Sequence, residues 1–128
     1  MFKYKLSVRG YELDSYGHVN HAVYINYFEQ ARWEIFRGSG IADELLYNGY
    51  LLVVTEMKIR YSRELRLFDE IEVITGIKIE EPYLVFQQKM FLSGQKIKVC
   101  SATVKTIFTD MEKTIIDIPG HIIKKLEL

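Results

Sequence analysis

The sequence predicts an α+β fold in which one long buried helix near the start of the chain is wrapped by a curved, mainly antiparallel sheet of five strands. Three observations lead there. Apolar residues between Ala22 and Arg37 recur at helical spacing and spread nearly all the way round the helix. The residues after Gly49 change to long β-rich runs with short turns between them, the pattern of an antiparallel meander. A helix that is apolar on all sides and a sheet can bury both surfaces only if the sheet curls around the helix.

Each element has its own signal. Phe2 to Val8 alternates apolar and polar side chains as a half-buried strand does, and Gly10 ends it. The segment Asp14-Ser15-Tyr16-Gly17-His18-Val19-Asn20-His21 then forms a glycine-containing turn that leads into the helix. Within the helix Tyr24, Phe28, Ala31 and Ile35 mark one face, while Val23, Tyr27 and Trp33 widen it. Gly38-Ser39-Gly40 stops the helix, and Ile41 to Tyr47 reads as a short second helix before the Asn48-Gly49 turn. Four strands follow at Leu51 to Tyr61, Glu70 to Ile79, Tyr83 to Leu92 and Ile97 to Phe108. Turns fall at Phe68-Asp69, Glu81-Pro82 and Ser93-Gly94-Gln95.

Bulk properties narrow the function classes. At 128 residues the chain reads as a single domain spanning 1–128, and an apolar fraction of 48% is ample for one packed core. Lys plus Arg equals Asp plus Glu at 17 each, so there is no electrostatic footprint for general nucleic-acid binding. No apolar run approaches the roughly 18 residues of a membrane span. Cys100 is the only cysteine, and charged residues interrupt the first strand where a signal peptide would be apolar, so the expected address is cytoplasmic.

Chemistry concentrates in the turn before the long helix. There a carboxylate, Asp14, stands a few residues before a helix start, where unpaired backbone N–H groups and the positive end of the helix dipole collect. An anionic group beside such donors suits the opening of an acyl bond. The pattern Asp14-x-x-Gly17-His18-Val19-Asn20-x-x-x-Tyr24, followed by Tyr27-Phe28-Glu29-x-Ala31-Arg32, resembles the signature of hotdog-fold acyl-CoA thioesterases of the 4-hydroxybenzoyl-CoA thioesterase type. Thr55 to Tyr61, Leu67-Phe68-Asp69-Glu70 and Ile118-Pro119 extend the resemblance over essentially the whole chain. Two departures stand out. Ser62-Arg63-Glu64 replaces a stretch where the family often has proline, and Phe68 stands where the family often has glycine before an aspartate.

The resemblance implies roles for individual residues. Asp14 matches the family's catalytic carboxylate, which either attacks the thioester carbonyl or draws a proton from the water that does. An ordinary aspartate, with a pKa of about 3.9, is ionised at neutral pH and ready for either role. The backbone N–H of His21 matches the donor that polarises the thioester carbonyl, a contribution of about 10²–10³ in rate for donors of this kind. Gly17 and Tyr24 match positions beside the substrate, Gly17 fitting a tight or positive-φ turn. Asn20 reads as the helix N-cap. His18 could orient water, donate to the substrate carbonyl or brace the loop. Glu29, two helical turns beyond His21, is the alternative carboxylate of a related hotdog branch, and the plainer reading pairs it with Arg32.

The remaining features carry less chemistry. Asp14, His18 and His21 mimic metal-ligand spacing, but the family needs neither metal nor cofactor. Ser39 lacks a nucleophile-elbow context, and Cys100 reads as an inert strand residue. No glycine-rich phosphate loop is present, so the phosphates of coenzyme A would meet scattered bases such as Arg60, Arg63, Lys89, Lys96 and Lys98. A hotdog protomer leaves a sheet edge and part of its helix uncovered, so a homodimer or homotetramer is expected, with the active site at the dimer interface. The expected reaction is hydrolysis of an acyl-CoA thioester. The alternatives are an acyl-carrier-protein thioesterase and a non-catalytic acyl-thioester binding module; the His-Phe-Pro pattern of a hotdog dehydratase is missing after His18, where Val19-Asn20 follows.

Overall fold

Period-two alternation turns Phe2–Ser7 into strand β1, and a short 3-10 turn at Gly10–Glu12 brings the chain to the Asp14 loop in the computed structural model, which describes residues 1–128. Helix α1 spans His21–Gly38 and α2 spans Ala42–Tyr47. Strands β2 (Tyr50–Tyr61), β3 (Glu70–Glu80), β4 (Tyr83–Leu92) and β5 (Lys98–Asp110) follow, then a two-residue β6 (Ile115–Ile116) and a terminal helix α3 (Gly120–Lys125). All pairings are antiparallel, in the order β1-β3-β4-β5-β2, and β6 pairs with the end of β5 beyond β4.

The expected meander holds for β3, β4 and β5 and fails at β2. β1 occupies the outer edge of β3, with Leu6 opposite Ile71, so β2 is carried to the far side of β5. There its 12 residues run along the 13 of β5 from Tyr50 opposite Asp110 to Tyr61 opposite Cys100, with a bulge between Val54 and Glu56. β1 and β2 are therefore the two edges of the sheet. The longer edge, β2, carries exposed Val53 and Val54.

The concave face of the sheet receives α1. Tyr24, Tyr27, Phe28, Ala31, Arg32, Ile35 and Phe36 are buried at i, i+3, i+4 spacing. They meet Phe86, Met90, Ile71 and Val104 in one continuous core, where each fully buried large side chain contributes roughly 1.5–3 kcal/mol. All-round wrapping of α1 does not occur within one chain. Five strands curl over one side only, and Ala22, Ile25, Asn26, Glu29 and Gln30 remain exposed on the other. The terminal helix α3, absent from the sequence reading, buries Ile122 and is tied to α2 where Glu44 accepts hydrogen bonds from Lys125 Nζ (2.6 Å) and Tyr50 Oη (3.1 Å).

Candidate active site

The loop before α1 is closed by its own backbone. Asn20 N–H donates to the Glu12 carbonyl at 3.0 Å, Leu13 and Val19 form an antiparallel bridge, and Asp14 N–H donates to the His18 carbonyl at 2.7 Å. Residues 12–14 thus lie alongside 18–20, which sets Asp14 next to the start of the helix. Gly17 turns the loop with φ at 79°, a left-handed conformation that a side chain would strain. One carboxylate oxygen of Asp14, Oδ1, accepts from the N–H groups of Tyr16 (2.9 Å) and His18 (3.3 Å). Its other oxygen has no partner in the chain, so one atom braces the loop while the second is left unpaired.

The helix start presents the complementary donor. Asn20 Oδ1 accepts from Ala22 N–H at 2.9 Å, and the Asn20 carbonyl accepts from Val23 N–H at 2.9 Å. His21 N–H is left with no acceptor within the chain, at the positive end of an 18-residue helix. The Tyr61 hydroxyl donates to the His21 carbonyl at 2.8 Å and so pins the first turn to the end of β2.

The His18 ring meets the loop that follows β2. Its Nε2 lies 3.1 Å from Glu64 Oε2, and Glu64 Oε1 accepts from the Arg66 guanidinium at 2.8 Å. The hydrogen bond from Arg66, reinforced by the nearby charges of His18 and Arg63, holds the Glu64 carboxyl below the ordinary glutamate range. His21 projects its own side chain into solvent. No three His, Cys, Asp or Glu side chains gather as metal ligands.

Behind the loop lies a polar node that sequence reasoning missed. Glu12, 6% exposed, accepts from Arg9 N–H (2.8 Å), from the Arg9 guanidinium (2.7 Å) and from the Tyr27 hydroxyl (2.7 Å). Burial alone would raise the Glu12 carboxyl, but its bonds from Arg9 and Tyr27 outweigh that and lower it. Tyr24 is buried too. Its hydroxyl accepts from Leu65 N–H at 3.0 Å and donates to the Arg63 carbonyl at 3.4 Å, so it clamps residues 63–65 to α1. Only the spacing of Glu12 from Arg9, three residues along, hinted at this node.

The Glu29–Arg32 ion pair does not form. Arg32 is buried beneath α1, where its Nη1 donates to Gln88 Oε1 at 2.9 Å and Gln88 Nε2 in turn donates to the Phe28 carbonyl (3.0 Å) and Thr75 (3.1 Å). Glu29 stays on the exposed face and acts on Arg32 only as a nearby charge. Beside them an apolar hollow of about 210 Å³ is lined by Trp33, Phe36, Leu45, Leu46, Leu51 and Leu52. Glu29 and Arg32 themselves line it, so on α1 it begins eight residues, or roughly 12 Å along the helix, from His21, and on β2 it reaches Val54, seven residues or roughly 23 Å from Tyr61. Cys100 is buried, which pushes its thiol up to about 12 and removes it as a nucleophile.

Comparison with known proteins follows the same lines. The family model described as thioesterase-like superfamily matches residues 8–126. The chain belongs to this superfamily. It is 31% identical over 122 residues to the chloroplastic acyl-acyl carrier protein thioesterase ATL2 of Arabidopsis thaliana, covering 92% of this chain and 64% of that protein. The chain thus spans less than two thirds of the length of that plant relative. It is 26% identical over 125 residues to the long-chain acyl-CoA thioesterase FadM of Escherichia coli, covering 96% of this chain and 95% of FadM. A crystal structure of a hypothetical protein from Aquifex aeolicus superposes with a TM-score of 0.91 at 27% identity, covering 98% of this chain and 99% of the other. The fold is the hotdog fold of this superfamily. No helix is long and apolar enough to cross a membrane.

Proposed function

We propose that the protein is a thioester hydrolase acting on acyl-CoA. The observation that carries this reading is the division of labour at Asp14: Oδ1 is committed to the loop, and the second oxygen is unpartnered next to a helix start with a free N–H at His21. The thioester carbonyl oxygen would accept from His21 N–H, where developing negative charge meets the helix dipole. Asp14 would attack the carbonyl carbon as nucleophile, giving a mixed anhydride that water then hydrolyses, or would take the proton of a water that attacks directly. In either case the C–S bond breaks, the thiolate takes up a proton and leaves as coenzyme A, and the acyl group leaves as the free acid. Hydrolysis of this kind draws on water and these groups alone, so we propose no cofactor and no metal. His18, braced by Glu64, supports the loop that carries Asp14.

A homodimer completes this site. The long edge β2, exposed Val53 and Val54 and the uncovered face of α1 are liabilities that a second copy would cover. Antiparallel pairing of β2 with its own copy sets the Tyr61 end of one strand against the Leu51 end of the other. The apolar hollow would thereby face the neighbour's carboxylate and take its acyl group. A fatty acyl chain fits such a hollow, and the names of FadM and ATL2 point to acyl thioesters of that class. The single buried cysteine suits a reducing compartment, and we place the enzyme in the cytoplasm.

The test is release of free thiol from acyl-CoA thioesters of graded chain length, an aromatic acyl-CoA and the matching acyl-carrier-protein thioesters, with the Asp14→Ala variant alongside. Turnover of one class that falls by about 10² or more in the variant is the expected result. Undiminished activity in the variant moves the chemistry to Glu29, and no turnover of any thioester leaves a binding module.

A further inference from the structure

The convex face of the sheet, opposite α1, carries a second concentration of chemistry. Strand register sets Lys58, Thr103, Gln87 and Gly76 in one row across β2, β5, β4 and β3. The next row on the same face is Arg60, Ser101, Lys89 and Ile74. Adjacent strands are about 4.8 Å apart, so Arg60 and Lys89 stand roughly 10 Å apart across Ser101, and Lys58 lies roughly 7 Å from Arg60 along β2. Side chains of this length on those positions converge over one spot. The rows line a trough of about 460 Å³, within the range of small-molecule sites. Its floor is hollow because Gly76 has no side chain; the only atom that a Cβ there would approach is Met1 Cε, at 3.7 Å.

The charge in this trough is unmatched. Elsewhere on the same face three lysines have a carboxylate: Lys5 with Glu72 at 3.8 Å, Lys78 with Glu80 at 3.0 Å and Lys105 with Glu56 at 3.8 Å. Lys3 near the start of β1 and Lys98 at the start of β5 have none. Lys58, Arg60 and Lys89 form no ion pair, and no Asp or Glu lines the trough. In a chain whose formal charge is zero, three unpaired cations around one concavity are a local arrangement and not an overall bias. Sequence alone scattered Arg60 and Lys89 among five bases; the sheet brings these two together with Lys58.

We propose that this trough binds a ligand of nucleotide size that carries two or more phosphate groups. The Arg60 guanidinium suits the forked contact with a phosphate, the two ammonium groups add point charges, and the Ser101 and Thr103 hydroxyls and the Gln87 amide supply neutral donors between them. Two sources share this chemistry: the nucleotide end of a coenzyme A thioester and a free nucleotide. The first is compatible with the position of the trough, since Arg60 is the neighbour of Tyr61, which holds the first turn of α1 from the other face. Choosing between the sources rests on the thioester-hydrolase reading; the binding itself does not.

The experiment is calorimetric titration of the intact protein with adenosine bisphosphate at low salt. Saturable binding at one site per chain is expected. It should weaken by about tenfold or more in the Lys58→Gln, Arg60→Gln, Lys89→Gln triple variant and under added salt. A Lys5→Gln, Lys78→Gln variant should bind as the unmodified chain does, and thermal melting checks that each variant is folded. Absence of saturable binding, or equal affinity in the triple variant, overturns the proposal. With binding established, competitive inhibition of acyl-CoA turnover and a raised KM in the triple variant assign the trough to the substrate's own nucleotide. An unchanged KM assigns it to a free nucleotide. Because the titration requires no turnover, failure of the hydrolase reading would leave its result standing.

Discussion

Glu12 and Asp14 are two residues apart on one loop and have opposite fates. Glu12 points inward and spends both carboxylate oxygens on Arg9 and Tyr27, which joins the exit of β1 to the middle of α1. Asp14 sits at the half-buried mouth and spends one oxygen on the loop, leaving the other free. The lesson is that reactivity follows from what a carboxylate has left over. A saturated, buried carboxylate holds a site in shape, and a partly satisfied one beside a free donor can do chemistry.

The sharpest way to break this comparison is Asp14→Asn. An amide oxygen can still accept from Tyr16 and His18, so the melting temperature should hold while kcat falls by about 10² or more. Equal loss of stability and activity would make Asp14 a second Glu12. Glu12→Gln should do the reverse, costing about 2 kcal/mol through its weakened bonds to Arg9 and Tyr27, read from denaturant unfolding. It should also flatten the acid limb of stability. The folded-state Glu12 carboxyl is lower than its unfolded value, so its stabilisation is complete above the ordinary glutamate range and is lost as pH falls through the folded value. The variant lacks that loss. Tyr27→Phe keeps the ring and removes one donor to Glu12, with an expected cost of about 1 kcal/mol and little change in kcat.

The smallest effect concerns the loop that Tyr24 clamps against α1. Phe68 there has φ at 67° and is 77% exposed, so it combines a left-handed backbone with little burial. Phe68→Gly should raise stability by about 0.5–1 kcal/mol, seen as a melting temperature a few degrees higher. A drop would mean that the exposed ring is covered in the native assembly.

Much of this was legible from one dimension. β-Rich runs bounded by turn residues located β2 to β5 to within two residues at every end, because strand-forming side chains and turn chemistry are local properties of the chain. The helix was legible for the same reason, and its N-cap at Asn20 and glycine turn at Gly17 follow from residue chemistry. Strand order was not. Nothing within β2 says that β1 has already taken the edge of β3, since pairing is decided by which edge remains free. The two-residue β6 and the terminal α3 were too short to show a period.

By itself the sequence determined the α+β class and the loop that brings Asp14 to a helix start, since both rest on spacing within a few residues, and the hotdog superfamily followed from the resemblance of that loop and helix to a known signature. Tertiary structure alone decided the rest. It drew Glu64 to His18 across 46 positions, gave Arg32 to Gln88 instead of Glu29, and gathered Lys58, Arg60 and Lys89 on one face. These contacts join residues whose separation along the chain carries no information about their distance in space, because strand pairing and register set them.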